Sequence, residues 1–253
     1  MAVDDVVLEI DDVSRSFGAL AALTKVSFAV RGGQVFSVIG PNGAGKSTLF
    51  NVISGLHTPT AGRVRFHGAD IAGLAPETIS RLGIAKTFQI TNIFPEISVF
   101  ENVRVAAQSR ATVSGRLASL WRLPDVERSV MALLGAFGLE GKRGELAENL
   151  SHGDQRYLEI CLALATEPTL LLLDEPTAGM TPGETKEATA LIRRIADERR
   201  LTLLLIEHDM SVVMGISDRI AVLHFGEKIA EGPPDAIRND PAVIDAYLGG
   251  ADD

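Results

Sequence analysis

Short runs of consecutive apolar residues alternate along the chain with longer segments in which apolar residues return every three or four positions. A continuous apolar run predicts a strand buried on both faces, whereas the longer period predicts an amphipathic helix. Buried strands are predicted at residues 35–39, 170–173 and 201–206, and helices at residues 48–53, about 102–142, 150–165 and 182–200. This alternation favours an α/β fold, with a mostly parallel sheet flanked by helices.

Two regions depart from this alternation. Residues 6–10 and 26–30 alternate apolar and polar positions, as in an antiparallel sheet, and residues 62–68 are predicted to form an exposed strand closed by a glycine. The pattern turns helical from about residue 102 to residue 142. Within this range, residues 109–124 fit either a surface helix or a loop.

The composition is that of an acidic globular protein. The formal net charge is −9, with 46% apolar and 23% charged residues, so no basic surplus exists to neutralise nucleic-acid phosphates or anionic lipid headgroups. The single cysteine, Cys161, lies in an apolar helical segment and is expected to be a small core residue in a reducing compartment. The amino-terminal residues lack a signal-peptide pattern, and no apolar run approaches the ~20 residues that span a bilayer. We expect one soluble domain over residues 1–253, with no nucleic-acid partner.

One glycine-rich segment fits the phosphate-binding pattern G-x-x-x-x-G-K-[ST] without a mismatch. The apolar run before it and the helical spacing after it supply the strand, loop and helix that the pattern requires. Backbone N–H groups and the helix N-terminus surround phosphates in such a loop, Lys46 reaches the β- and γ-phosphates, and the Ser47 hydroxyl holds Mg²⁺. The segment predicts binding of a nucleoside triphosphate, and its residues are Gly40, Pro41, Asn42, Gly43, Ala44, Gly45, Lys46, Ser47 and Thr48.

Carboxylates follow the next buried strand, where Asp174 and Glu175 come directly after the apolar run. At the carboxyl edge of a parallel sheet, they are expected to lie beside the phosphate loop. We expect Asp174 to support Mg²⁺ mainly through its water shell, and Glu175 to orient and polarise the water that attacks the γ-phosphate. His208 follows a further strand and can hydrogen-bond the γ-phosphate from there. Acidic turn residues and a lone histidine are also compatible with purely structural roles.

Two loops supply further polar groups. Gln89 precedes the helical region, and its amide oxygen can ligate Mg²⁺. The loop that carries Gln89 can then transmit the occupancy of the Mg²⁺ site to whatever it contacts. Ser151 is predicted to cap the helix that leads into the carboxylate strand, with Asp154 at the N3 position. The hydroxyl and the free N–H groups at this helix start also form an anion site.

The order of these motifs resembles the nucleotide-binding subunit of ABC transporters over essentially the whole chain. The phosphate loop alone is common to many ATPases and GTPases, whereas LSHGDQ ahead of LLLLDEPTAG is specific to this family. The resemblance implies the ABC ATPase fold, a P-loop NTPase core with an antiparallel β subdomain and an α-helical subdomain. The helical subdomain, at about residues 90–160, is inserted in the core. The resemblance also implies that residues 40–48 are the Walker A loop, that Asp174 ends Walker B, and that Glu175, Gln89 and His208 are the catalytic glutamate, the Q-loop glutamine and the switch histidine.

The resemblance further implies ATP as the nucleotide and a second ABC ATPase subunit, identical or different, as a partner. Two subunits sandwich two ATP molecules head to tail, so that the signature residues Ser151, Gly153 and Gln155 face nucleotide bound by the other subunit. Phe17 occupies the place of the adenine-stacking aromatic, with a core position as the alternative. Integral membrane permease subunits, and indirectly a solute-binding protein, complete the implied transporter and place the chain at the cytoplasmic face of the inner (plasma) membrane.

Two departures from the family consensus and one surface segment lead to further expectations. His152 stands where the family consensus has glycine, and no loss of activity is expected from it. Thr181 stands where many members have aspartate, which puts a contact across the dimer in doubt. The segment at residues 93–96 is expected to meet a coupling helix of the membrane partner, with burial in the helical subdomain as the alternative for Ile93 and Phe94.

The tract around Phe88 to Val103, the loop AGMTP and the ending AYLG resemble the branched-chain amino acid importers, in particular the longer of their two ATPases. The ATPases of urea and amide importers and of lipopolysaccharide export remain alternatives. A non-transport ABC ATPase usually has tandem domains or a coiled-coil insertion, which are not visible here. A small-molecule P-loop kinase has no use for the LSHGDQ stretch.

Overall fold

The computed structural model describes residues 5–87, 93–111 and 123–248. Within these ranges the strands are β1 Val6–Phe17, β2 Leu20–Arg31, β3 Val35–Ile39, β4 Ala61–Phe66, β5 Ala69–Asp70, β6 Ile84–Lys86, β7 Leu170–Asp174, β8 Thr202–Ile206, β9 Arg219–His224 and β10 Glu227–Gly232. The helices there are α1 Lys46–Ile53, α2 Pro76–Leu82, α3 Val99–Ala111, α4 Leu123–Ala136, α5 His152–Ala165, α6 Pro182–Arg199, α7 Met210–Ile216, α8 Pro234–Arg238 and α9 Pro241–Leu248.

The first sheet is antiparallel and has the strand order β2-β1-β4-β5. Its two longest strands have 12 residues each and extend beyond the segments predicted from alternation. The pairing of β1 with β2 shifts register between Ile10 and Val13, and Asp12 between them has a left-handed φ of 49°. An irregularity of this kind breaks the alternation of exposed and buried positions, so the pattern reveals only part of each strand.

The second sheet has six strands in the order β10-β9-β3-β8-β7-β6. Its strands run parallel except for β10, which pairs antiparallel with β9 at one edge. The predicted α/β fold with a mostly parallel sheet and a separate antiparallel sheet is confirmed. Ile206 of β8 lies opposite both Val38 of β3 and Asp174 of β7, so the carboxyl ends of these three strands meet at one edge.

Neighbouring residues of the central strands enter different hydrophobic clusters. In β7, Leu170 and Leu172 pack in a cluster shared with the antiparallel sheet, whereas Leu171 and Leu173 pack in a cluster shared with α3, α4 and α5. All four side chains are essentially inaccessible to solvent, and each contributes roughly 2 kcal/mol through burial. Because both faces are covered, these strands have continuous apolar sequences.

The helical region contains α3, α4 and α5. The segment predicted as helical over residues 102–142 forms two helices, and residues 112–122, within the segment left open between a helix and a loop, lie outside the described residues. Cys161 of α5 is fully buried, and burial raises the pKa of its thiol. Among the described helices, none is both long and apolar enough to cross a membrane. The assignment of residues 90–160 as an inserted subdomain of one domain remains a prediction.

Candidate functional site

The glycine-rich loop connects β3 to α1 at the carboxyl edge of the six-stranded sheet. Gly40 and Gly45 have φ values of 149° and 99°, in the region that favours glycine. A Cβ atom at Gly40 would lie 2.0 Å from the Leu223 carbonyl oxygen, and one at Gly45 would lie 2.5 Å from that of Ala22. The tight packing of the loop against β9 and β2 therefore requires glycine at both positions.

Lys46 lies inside this loop and is only 8% exposed. Its Nζ donates hydrogen bonds to the carbonyl oxygens of Gly40 at 2.7 Å and Pro41 at 3.0 Å. Burial lowers the pKa of the ammonium group, and the nearby carboxylates of Glu175 and Asp174 oppose that shift. The carbonyl oxygens of the loop thus hold the ammonium group at the position that a phosphate-binding lysine requires.

Lys46→Ala is expected to raise the dissociation constant for MgATP at least about 10-fold, because a charged hydrogen-bond donor to phosphate is lost. Equilibrium titration with a fluorescent ATP analogue measures the change. Lys186→Ala, at an exposed position of α6, is the matched control and should bind with unchanged affinity. Normal affinity in Lys46→Ala would contradict the assignment of the phosphate loop.

The two predicted carboxylates lie at the end of β7. Asp174 is 4% exposed, and its backbone N–H donates to the Thr87 hydroxyl at 3.3 Å. Burial raises the pKa of Asp174, while the charge of Lys86 provides the strongest opposing effect. The next residue, Glu175, has a left-handed φ of 49°, a conformation that costs on the order of 1 kcal/mol and persists when neighbouring groups enforce it.

The structure brings His208 to Glu175. The imidazole Nδ1 lies 3.6 Å from Glu175 Oε1, and the backbone N–H of Glu175 donates to the Ile206 carbonyl at 2.9 Å. Two residues predicted from separate strands therefore form one group at the sheet edge. Gln89, predicted to join them, lies outside the described residues.

The predicted signature segment opens α5. Ser151 is its N-cap, and its Oγ accepts a hydrogen bond from the Asp154 backbone N–H at 3.2 Å and donates one to Asp154 Oδ2 at 2.7 Å. Lys142 donates to the same carboxylate oxygen at 2.5 Å. Although burial alone raises it, the pKa of Asp154 lies below its ordinary value because of the hydrogen bonds from Lys142 and Ser151. Gln155 donates from its side chain to the carbonyls of Ala147 and Leu150, each at 3.3 Å.

The departure from consensus at His152 has a structural counterpart. A Cβ atom placed on Gly179 would lie 3.2 Å from His152 Cε1, so the imidazole packs against the loop that follows Glu175. Thr181, the other departure, caps α6: its hydroxyl accepts from the Glu184 backbone N–H, and the Glu184 carboxylate accepts in return from the Thr181 N–H at 2.8 Å. A threonine at this position thus forms a capping box.

Arg156 of α5 is a residue of the site that the sequence patterns did not reveal. Its guanidinium is 2% exposed, and Nη2 donates to the carbonyl oxygens of Asp174 and Glu175 at 2.8 Å each. Nη1 donates to Glu159 Oε2 at 2.6 Å. The only sequence signal is an arginine and a glutamate three positions apart in an apolar helix. The signature helix therefore holds the backbone of both Asp174 and Glu175.

Phe17 lies at the end of β1 and is 41% exposed, so it is not a core aromatic. Its ring is covered on one face by the Arg15 guanidinium at 4.5 Å from the centroid and meets the edge of His57 at 5.2 Å. Phe94 is also exposed, whereas Ile93 packs partly against the cluster of α3, α4 and α5.

Comparison with known proteins gives one consistent result. Residues 23–178 match the family described as ABC transporter, and residues 227–253 match the family described as branched-chain amino acid ATP-binding cassette transporter. The chain is similar to the high-affinity branched-chain amino acid transport ATP-binding protein LivG of Salmonella typhimurium strain LT2, with 42% identity over 251 residues, 96% of this chain and 98% of that protein.

Two solved structures share the fold. The ADP conformation of MJ1267, an ATP-binding cassette of an ABC transporter, matches with a TM-score of 0.83 and 31% identity over 96% of this chain and 99% of that one. The dimeric post-hydrolysis structure of the ATP-binding cassette MJ0796, bound to ADP and Pi, matches with a TM-score of 0.77 and 25% identity over 90% of this chain and 98% of that one.

Proposed function

Because the chain belongs to the ATP-binding proteins of ABC transporters, and within them to the branched-chain amino acid group, we propose that it hydrolyses ATP to power the import of branched-chain amino acids. The observation that carries this proposal is the 42% identity to LivG along nearly the full length of both chains. The geometry of the sheet edge supports the chemistry, since it joins a phosphate loop, two carboxylates and a histidine.

In this proposal, ATP binds with its phosphates in the loop of residues 40–48 and its adenine against Phe17, whose exposed ring can stack on a base. Lys46 exchanges its carbonyl partners for phosphate oxygens. Hydroxyl, carboxylate and amide oxygens are hard donors that suit Mg²⁺, and Ser47, Asp174 and Gln89 would hold it. When bound, Mg²⁺ neutralises charge on the β- and γ-phosphates.

Glu175 is the proposed base. Its carboxylate orients a water molecule, which attacks the γ-phosphorus; the bond to the β,γ-bridging oxygen breaks, and the water proton passes to Glu175 as ADP and phosphate form. His208, with Nδ1 towards Glu175, presents its other ring nitrogen to the γ-phosphate. The parallel pairing of β7 with β8, extended by the hydrogen bond from the Glu175 N–H to the Ile206 carbonyl, keeps these groups in register.

The proposed active form is a dimer with a second ABC ATPase subunit, either another copy or a different chain. Ser151, Gly153 and Gln155 would contact ATP held by the partner, using the hydroxyl and the free N–H groups at the start of α5. MJ0796, a cassette with the same fold, forms a dimer. A single subunit would bind ATP but hydrolyse it poorly.

The proposed transporter also contains integral membrane permease subunits and, indirectly, a solute-binding protein, which puts this chain at the cytoplasmic face of the inner membrane. Phe94 supports this arrangement, because it is 54% exposed and an exposed aromatic suits a docking surface. Its backbone is fixed by Asn102, which accepts from Phe94 N–H at 2.8 Å and donates to its carbonyl at 2.9 Å.

Ser151→Arg is expected to leave ATP binding unchanged and to reduce hydrolysis at least about 100-fold, because a bulky cation blocks the partner's nucleotide from the helix start. Loss of the N-cap should also cost about 1 kcal/mol of stability. Paired measurements of ATP affinity and ATPase rate test this, with Ser80→Arg, at an exposed position of α2, as the control. A fully active Ser151→Arg variant would exclude a role for Ser151 across the dimer.

Uptake by living cells tests the solute. Deletion of the gene should abolish high-affinity uptake of radiolabelled leucine, isoleucine and valine, and the unsubstituted gene should restore it, whereas a Glu175→Gln copy should not. Undiminished leucine uptake in the deletion strain would overturn the assigned solute.

A further inference from the structure

Glu207 is a buried carboxylate for which the proposed mechanism has no role. It follows β8 directly, precedes His208 and is 1% exposed. Burying a carboxylate is costly unless its oxygens are hydrogen-bonded, so its contacts indicate what it does.

Each oxygen of Glu207 has a different partner. Oε1 accepts hydrogen bonds from the Thr177 hydroxyl at 2.7 Å and the Thr177 backbone N–H at 3.3 Å. Oε2 accepts from the His208 backbone N–H at 3.3 Å. Glu207 therefore connects the loop after β7 to the loop after β8.

Both connected loops belong to the ATPase site. Thr177 is two residues from Glu175, and the turn between them is closed by the Ala178 N–H, which donates to the Glu175 carbonyl at 3.1 Å. The imidazole Nδ1 of His208 lies 3.9 Å from Glu207 Oε2 and 3.6 Å from Glu175 Oε1. Nδ1 of the imidazole therefore faces the two carboxylates, and Nε2 faces away from them.

We propose that Glu207 is a positioning residue of the ATPase site, which fixes the orientation of His208 and ties it to the loop that carries Glu175. This inference rests on the proposed function. Glu207 does not touch nucleotide; it acts through His208, and Thr177 holds the Glu207 carboxylate in place. Its effect falls on catalysis and leaves ATP binding alone, because the phosphate loop lies on a different strand, β3.

The first test is kinetic. Glu207→Gln places an NH₂ group where acceptors are required, and kcat should fall about 10-fold or more with KM for MgATP unchanged. In a His208→Ala background the same substitution should have no additional effect. Thr177→Val, which removes the hydroxyl donor to Glu207, should also lower kcat. This variant tests the positioning role if Glu207→Gln does not fold. Glu231→Gln, which loses ion pairs to Arg219 and Lys228 on the edge hairpin, is the control and should retain kcat.

The second test does not depend on activity. Side-chain ¹⁵N resonances of His208, assigned by their loss in His208→Ala, should shift in Glu207→Gln and Thr177→Val, because the imidazole changes its orientation towards Glu175. Unchanged resonances, or full additivity of Glu207→Gln with His208→Ala, would overturn the positioning role. A native chain that neither binds nor hydrolyses MgATP would count against the proposed function instead, and the resonances would still decide the role of Glu207.

Discussion

Glu175→Gln is expected to bind MgATP with unchanged affinity and to hydrolyse it at least about 100-fold more slowly than the native chain. The amide has the same shape as the carboxylate but does not accept the proton of the attacking water, a contribution of general base catalysis that is typically ~10²–10⁴-fold. Because hydrolysis no longer separates the subunits, MgATP should also convert the variant from monomer to dimer. ATPase assays, nucleotide titration and light scattering measure the three effects.

Glu227→Gln, at an exposed position of β10, is the matched control for Glu175→Gln and should keep the native rate. Unchanged hydrolysis in Glu175→Gln would assign the base elsewhere. A variant that stays monomeric with MgATP would show that this chain does not pair with itself, and would direct the search to a different ATPase subunit.

Much of the fold could be predicted because buried positions are occupied by apolar residues, whose spacing along the sequence differs between strands and helices. Leu170 to Leu173 read as an uninterrupted apolar run, since successive side chains enter the two clusters on opposite faces of the sheet. The glycine loop and the LSHGDQ stretch predicted the family, and the matches at residues 23–178 and 227–253 confirm it. These signals are local, so a reading of neighbouring residues recovers them.

The parts that escaped prediction depend on distant partners or on backbone conformation. Arg156 bonds to carbonyls 18 and 19 residues away, and Glu207 bonds to Thr177, 30 residues away; neither distance has a periodic signature. The left-handed φ of Asp12 interrupts β1 at a residue that is not glycine. The exposure of Phe17 follows from its place at the end of a hairpin strand, which composition does not specify.

The link between the signature helix and the carboxylate strand predicts a second large effect. Arg156→Ala should lower the free energy of unfolding by about 3–5 kcal/mol, because the buried Glu159 loses its guanidinium partner. The carbonyls of Asp174 and Glu175 lose a donor at the same time, so the left-handed conformation of Glu175 is less constrained and kcat should fall. Urea denaturation and ATPase assays measure both quantities. Arg194→Ala, whose exposed side chain lies 4.0 Å from Glu198, should change stability by less than about 1 kcal/mol.

The double variant Arg156→Met, Glu159→Met separates the two contributions of Arg156. Replacing both charges of a buried ion pair by apolar side chains is often neutral or stabilising, so the double variant should be more stable than Arg156→Ala. Its ATPase rate should nevertheless remain low, because methionine cannot donate to the carbonyls of Asp174 and Glu175. Recovery of stability and activity together would show that Arg156 contributes only to the stability of the fold. Recovery of stability without activity would show that α5 maintains the geometry of Asp174 and Glu175.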